Sequence, residues 1–179
     1  MSSAEEILKV IMGRRCVRSF RDGGIEIPEE HIAKILEAGI WAPSAGNIQP
    51  WEFIVVRNRD MIEKIKLVSP GLFGDPAAVI VICINMERAR RGGKAGERMA
   101  VMDISMAAQN MMLTAYSLGI GSCPIASFSK TGVKELLDIP DTVEPVLLIT
   151  LGYPTQWPNP PERRPLKEVV HYEKYGRHY

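Results

Sequence analysis

The chain has 179 residues, enough for one domain with its own core and no need of the metal or disulfide staples that small chains require. Hydrophobic residues make up 46% and charged residues 24%, which excludes a disordered chain, and 22 Lys+Arg against 21 Asp+Glu exclude a strongly basic nucleic-acid binder. Cys16, Cys83 and Cys123 stand far apart, and with only three histidines they give neither a disulfide framework nor a cysteine-rich metal motif, so no metal site is expected.

In chain order, the opening MSSAEEILKV carries two acids and no basic stretch ahead of an apolar one, unlike a signal peptide, so a cytoplasmic protein is expected. Ile7, Leu8 and Ile11 share one face of a helix predicted over 4–12. The basic stretch 14–18 follows and leads to a turn at Asp22-Gly23-Gly24. Pro28 opens a second helix, with Glu29 and Glu30 complementing its dipole and Ile32, Ile35, Leu36 and Ile40 as its apolar face. Residues 42–47 stop it in a tight loop. A strand is predicted over 53–56, a helix over 59–68 and a second strand over 76–84. The unbroken apolar run 76–84 belongs at the centre of a sheet and is too short to span a bilayer as a helix, so no membrane association is expected. Residues 85–96 turn basic and glycine-rich, as in a solvated loop or short helical insert. A long helix rich in Met and Ala is predicted over 96–118, apolar on most sides, with Gly119 as its C′ residue. A loop or short strand over 121–128, a short helix over 131–137, a third clear strand over 145–151 and a Pro-rich tail complete the chain. Helices alternating with three clear strands predict an α+β fold, a three-layer α/β/α domain over 1–179. No Gly-x-Gly-x-x-Gly follows a strand, so a Rossmann dinucleotide site is not expected, and P-loop, Gly-x-Ser-x-Gly and His-Glu-x-x-His motifs are absent.

Four segments could carry chemistry. Arg14, Arg15 and Arg18 could grip a phosphate and touch a planar heterocycle, and they equally suit a solvated helix end. The stretch 42–51 packs Pro43, Ser44, Asn47 and Gln49 around Gly46 ahead of Trp51; it suits the polar edge of a flat cofactor or an ordinary Asx-type turn. Residues 121–128, including Pro124, Ile125 and Ala126, could present backbone amides and an apolar wall to a ring, with Cys123 read as a small buried hydrophobe. Arg163 and Arg164 follow Pro160-Pro161 and either close on a phosphate or are surface charge.

The ordered set of these segments resembles the nitroreductase family of FMN-dependent NAD(P)H oxidoreductases. Arg-Arg-Cys-Val-Arg-Ser-Phe at 14–20 is similar to the family's Arg-Arg-Ser-x-Arg-x-Phe opening, and Pro-Ser-Ala-Gly-Asn-Ile-Gln-Pro-Trp at 43–51 to its Pro-Ser-x-x-Asn-x-Gln-Pro-Trp signature. Asp103, Ala107, Gln109 and Asn110 match its long central helix; Gly119-Ile120-Gly121-Ser122, Pro124-Ile125, Gly152-Tyr153-Pro154 and Arg163-Arg164-Pro165-Leu166 follow in order.

The resemblance implies a mixed, mainly antiparallel central sheet flanked by helices, with the long helix at the interface of a homodimer and the tail 152–179 extended over the partner subunit. It implies FMN as cofactor, NADH or NADPH as co-substrate, and hydride transfer onto flavin N5 and on, ping-pong, to a small electron-poor acceptor such as a nitroaromatic or quinone. Arg14, Arg15 and Arg164 match positions that hold the FMN phosphate, with Arg163 as a neighbour. Cys16 stands beside them where the family usually has Ser, a better donor. Arg18 matches a basic residue near the pyrimidine edge and is the expected catalytic group. Pro43, Ser44 and Asn47 match flavin contacts from the partner chain, with Gln49 in the same signature, and Pro124, Ile125 and Ala126 match the segment beside the ring. Ala126 replaces a Glu of larger members. A dehalogenase, an enoate reductase, a flavin-fragmenting enzyme and a non-catalytic flavin-binding protein are the alternatives.

Overall fold

A computed structural model describes residues 2–21 and 25–178; the turn expected at 22–24 lies outside the described residues. Helix α1 spans Ser3–Gly13 and is capped by Ser2, whose side chain accepts from the Glu5 N–H while Glu5 reaches back to the Ser2 N–H. Helix α2, Glu29–Ile40, starts after Pro28. A single 3₁₀ turn, Ala45–Asn47, leads into strand β1, Trp51–Val56. Helix α3, Arg59–Leu67, strand β2, Ala78–Asn85, the short helix α4, Met86–Arg90, and the long helix α5, Gly93–Ser117, follow. Strand β3 is Gly121–Ile125, helix α6 Lys130–Leu136, strand β4 Val143–Gly152, and one helical turn, α7, Leu166–Val169, sits in the tail.

The sheet has the order β1-β2-β4-β3 and every neighbouring pair of these strands is antiparallel. A parallel bridge from Cys16 to Ser122 adds the chain after α1 to the outer edge of β3 and makes the sheet mixed. Strand β2 reads as an unbroken apolar run because it serves two cores. Ala78, Ile80, Ile82 and Ile84 meet α2 and α5 on one face. Val79, Val81 and Cys83 join Ile62, Ile65 and Val133 from α3 and α6 on the other. The three-layer expectation holds.

Two alternatives that the sequence leaves open are decided, and one residue departs from the reading, each for a local reason. The segment 121–125 is a fourth strand, held by its register on β4 although Pro124 lacks an N–H; an edge position tolerates that loss. Ile40 lies open rather than on the core face, because the buried stripe of α2 runs Ile32, Ile35, Gly39 and the next residue is rotated by about 100°. Of the two readings of 85–96 the short helical insert holds: Asn85 caps α4 through its side chain, and α5 already begins at Gly93. Small residues set the α2–α5 distance. A Cβ on Gly39 would collide with the Met111 Cε, and Asn110 Nδ2 donates to the Ala38 carbonyl across the same contact at 3.1 Å.

Candidate functional site

The stretch after α1 is fixed by backbone bonds to two partners. The Val17 N–H donates to the Ser122 carbonyl at 2.9 Å, the Arg21 N–H to the Tyr153 carbonyl at 2.7 Å, and the Thr155 N–H to the Ser19 carbonyl at 3.1 Å. Val17 is buried, and a Cβ on Gly121 would meet its side chain, so the two backbones can approach only because that residue is Gly. The tail after β4 then turns across the end of α5, where Trp157 packs edge-on against Tyr116 with ring centroids 5.0 Å apart. This course lays Pro158, Asn159 and Pro161 over the basic stretch. A recess of about 220 Å³ opens between them, lined also by Arg14, Arg15, Cys16, Arg18 and Arg163. A neighbouring recess of about 340 Å³ continues along Cys16, Arg18, Ser19, Thr155 and Gln156.

Four guanidinium groups therefore share one recess, and none of them forms an ion pair with the described residues. Arg14 donates from Nη1 to the Cys16 sulfur at 3.8 Å; Arg15 donates to the Met12 and Arg14 carbonyls at 2.6 and 2.8 Å. The Nε atoms of both are buried without a partner. Buried donors with nothing to donate to are costly, and an acceptor such as an anion in the recess would satisfy them. Arg164 does not line this recess: it is exposed, pairs with Glu168 at 3.5 Å and donates to the Glu168 carbonyl at 3.2 Å. The cysteine among these cations is perturbed. A hydrogen bond from the Cys123 thiol, then contacts with Arg14 and the charge of Arg18, outweigh burial and lower its pKa to about 5, while Cys123 is pushed up by the same bond and by burial.

The second signature sits elsewhere. In the loop 43–49 the backbone has positive φ at Gly46, Asn47 and Gln49, a conformation costly for the last two. It is held by the Gln49 N–H to Ser44 Oγ at 3.0 Å and by Gln49 Nε2 to Asn47 Oδ1 at 3.0 Å. Two groups outside the motif brace it. Asp103, buried on α5, accepts from the Ala45 N–H at 3.1 Å, and Arg88 on α4 donates to the Ile48 and Gln49 carbonyls, both at 3.1 Å. The sequence reading placed Asp103 on the long helix and Arg88 in a basic loop or short helical insert and gave neither this role; a carboxylate on an apolar helix was the available signal.

The structure brings Arg14, Arg15, Cys16, Arg18 and Arg163 together. It places Pro124, Ile125 and Ala126 at the far end of the strand that carries Ser122, with Ile125 buried and Ala126 exposed. Segment 67–73 comes to the same edge, where the Gly71 N–H points to the Ser127 carbonyl at 3.5 Å. Pro43, Ser44, Asn47 and Gln49 do not join them. They precede β1, at the corner of the sheet diagonally opposite Ser122. Strand spacing and rise put Trp51 and Ser122 roughly 25 Å apart.

A model of the nitroreductase family matches residues 11–73 and 65–153. The chain belongs to the nitroreductase family. Among its curated relatives, a protein of Methanothermobacter thermautotrophicus named "Putative NADH dehydrogenase/NAD(P)H nitroreductase" is 38% identical over 162 residues, 87% of this chain and 81% of that protein. An FMN reductase [NAD(P)H] of Bacillus subtilis is 27% identical, over 95% of this chain and 74% of its own. A crystal structure from Parabacteroides distasonis, named like the first, superposes with a TM-score of 0.84 at 27% identity, over 95% of this chain and 99% of that one. Nitroreductases are oxidoreductases and typically bind FMN and use NAD(P)H. The recess suits the phosphate of such a cofactor, because it offers unpaired buried donors and uncompensated positive charge. Among the described residues no cluster of His, Cys, Asp and Glu could hold a metal ion, and no helix is long and apolar enough to cross a membrane.

Proposed function

We propose that this nitroreductase-family chain is an FMN-dependent NAD(P)H oxidoreductase that works as a homodimer and reduces small electron-poor acceptors. The observation that carries the reading is the pair of buried, unpartnered Nε atoms of Arg14 and Arg15 in a recess shared with Arg18 and Arg163. Arg14, Arg15 and Arg163 bind the phosphate. Arg164 joins them only by leaving Glu168. Cys16 lies beside the phosphate as a weaker partner than a hydroxyl. FMN, when bound there, would supply the hydride chemistry between NADH or NADPH and a nitroaromatic or quinone. Arg18, exposed in both recesses and without an ion pair among the described residues, supplies positive charge where negative charge gathers on reduction. Pro124, Ile125 and Ala126 form the wall of the ring site.

Ser44, Asn47 and Gln49, with Pro43, complete the site from the second copy, since their own corner of the sheet is too distant. Helix α1 supports that assembly: it is amphipathic yet buries no residue. The relatives' names support the reaction class.

The test is spectroscopic and kinetic. Purified protein should carry the yellow flavin absorbance and lose it on mixing with NADH or NADPH, recovering it when a quinone is added. Arg18→Ala should lower the flavin potential and slow its reduction by at least about tenfold, the scale of one lost charge-stabilising donor. A wild-type protein that binds no FMN, or a variant with unchanged potential and rate, overturns the respective assignment.

A further inference from the structure

We infer that Arg88 and Asp103 are positioning residues for the cofactor held by the other copy. They act through the loop 43–49 of their own chain, which they keep in the conformation that completes the second copy's site. The inference rests on the two-copy site proposed above.

The loop is fixed at both ends by groups distant in sequence. At its entry, Asp103 Oδ1 accepts from the Ala45 N–H at 3.1 Å. At its exit, Arg88 donates from Nε to the Gln49 carbonyl and from Nη2 to the Ile48 carbonyl, each at 3.1 Å. Those two carbonyls belong to the peptide planes on either side of the Gln49 Cα. One rigid, planar fork bonded to both therefore fixes the backbone of Gln49, which stands at φ 52°. A long side chain rarely adopts that region, so the conformation persists because its surroundings impose it.

Arg88 is itself placed by the sheet. Asn85 ends β2; its N–H donates to the Pro50 carbonyl at 2.7 Å, and its side chain accepts from the Arg88 N–H at 3.1 Å. The side chain of Ile48 fits where α4 meets α5, since a Cβ on Gly92 would collide with the Ile48 Cδ1. Arg88 forms no ion pair with the described residues, so its charge is committed to two neutral carbonyls. Asp103 is 2% exposed and directs a carboxyl oxygen at a backbone N–H of the same loop. Neither residue lines the arginine recess of its own chain. A loop held ready loses little freedom when a ligand arrives, whereas an unbraced loop has to be ordered at the expense of affinity. The short helix α4 and the buried acid on α5 thus serve a site in the other copy.

The test uses the full-length protein. In its FMN-free form, amide hydrogen exchange over 43–50 should speed up about tenfold in Arg88→Ala and in Asp103→Leu, the scale of one lost hydrogen bond to a charged group, with exchange over 14–18 unchanged. The FMN Kd, from a flavin fluorescence titration, should rise about tenfold in both. Asp103→Asn keeps an oxygen that accepts from Ala45 and should restore both readings; Arg88→Lys should restore part of them. Should Asp103→Leu fail to fold, Arg88→Ala and Arg88→Lys decide, because Arg88 is only half-buried.

Action across the interface is read from a heterodimer, isolated through two different tags, of an Arg88→Ala chain and a chain carrying Arg14→Ala with Arg15→Ala. One of its sites combines an intact recess with an intact loop. It should bind about one FMN per dimer at a concentration that leaves either variant homodimer mostly empty. Parental exchange over 43–50 or a parental FMN Kd in Arg88→Ala overturns the inference and leaves the two-copy site standing, and so does equal loss in Asp103→Asn and Asp103→Leu. A heterodimer that stays empty overturns the two-copy site and, with it, action on the other copy's cofactor. A parent protein that binds no FMN overturns the flavin reading and everything built on it.

Discussion

At the scale of single residues, three cysteines sit in three different electrostatic settings. Cys16 is drawn towards the thiolate, to about 5, by the Cys123 hydrogen bond, Arg14 and Arg18, whereas burial in the core, with Glu52 and Glu144 nearby, pushes the Cys83 thiol up to about 12. These shifts fix the sign of stability against pH. Between about 5 and the ordinary value of 9.0 the unfolded chain holds a proton at residue 16 that the native chain lacks, so this group's contribution grows as pH rises through that window. Above 9.0 the native chain keeps protons on Cys83 and Cys123 that the unfolded chain releases, so their contribution falls from there upward. Thermal melts of the FMN-free protein at a series of pH values should show this as a difference between variants. Cys16→Ser should flatten the rising limb, and Cys83→Ala should flatten the falling one. Parallel wild-type and Cys16→Ser curves across the lower window contradict a native thiolate.

At the scale of elements, the tail is what turns a basic stretch into a recess. Pro160 and Pro161 stiffen it, but its position comes from Thr155 on Ser19 and from Trp157 on Tyr116. An edge-to-face aromatic pair contributes about 0.5–1.5 kcal/mol. Trp157→Ala should therefore weaken FMN binding about 2- to 10-fold in a fluorescence titration, and Trp157→Phe should restore most of it. Unchanged affinity in the alanine variant would separate the tail from the site. The elements differ in how far they could be read from sequence. The double-faced run of β2 and the alternation of helices with strands were legible because local pattern and burial agree there. Strand β3 was left between loop and strand, because Gly-Ser-Cys-Pro-Ile has little strand propensity and owes its conformation to the β4 register. The bracing of the loop 43–49 by Arg88 was illegible, since a cation in a basic insert looks the same whether it faces water or two carbonyls. The meeting of residues 14–18 with Pro158–Arg163 was illegible bottom-up for the same reason: it depends on a route over the end of α5 that no local signal encodes.

At the scale of the molecule, the candidate site is divided. One chain holds the arginine-lined recess at one corner of its sheet and a braced polar loop at the opposite corner. Bracing a loop with two positive-φ residues that are not glycine costs free energy. The apolar surface has the same character. Helix α1 exposes Ile7 at 61%, Leu8 at 53% and Met12 at 71%, and it flanks an apolar groove of about 440 Å³ against Leu113 and Thr114 of α5. Patches of this kind on an amphipathic helix mark an interface, and burying one such side chain is worth about 1.5–3 kcal/mol. Both features are accounted for if two copies join through α1 and α5 so that each loop reaches the other's recess. Replacing Ile7 and Ile11 together by Lys places two charges on that face without touching the core, because α1 buries no residue. The double variant should run as a monomer in analytical ultracentrifugation and keep the helical circular dichroism of the parent. It should also lose FMN, since a monomer presents half of each site. Should it stay dimeric, α1 is not the contact; should it be monomeric and bind FMN as tightly as the parent, the loop 43–49 is not shared between subunits.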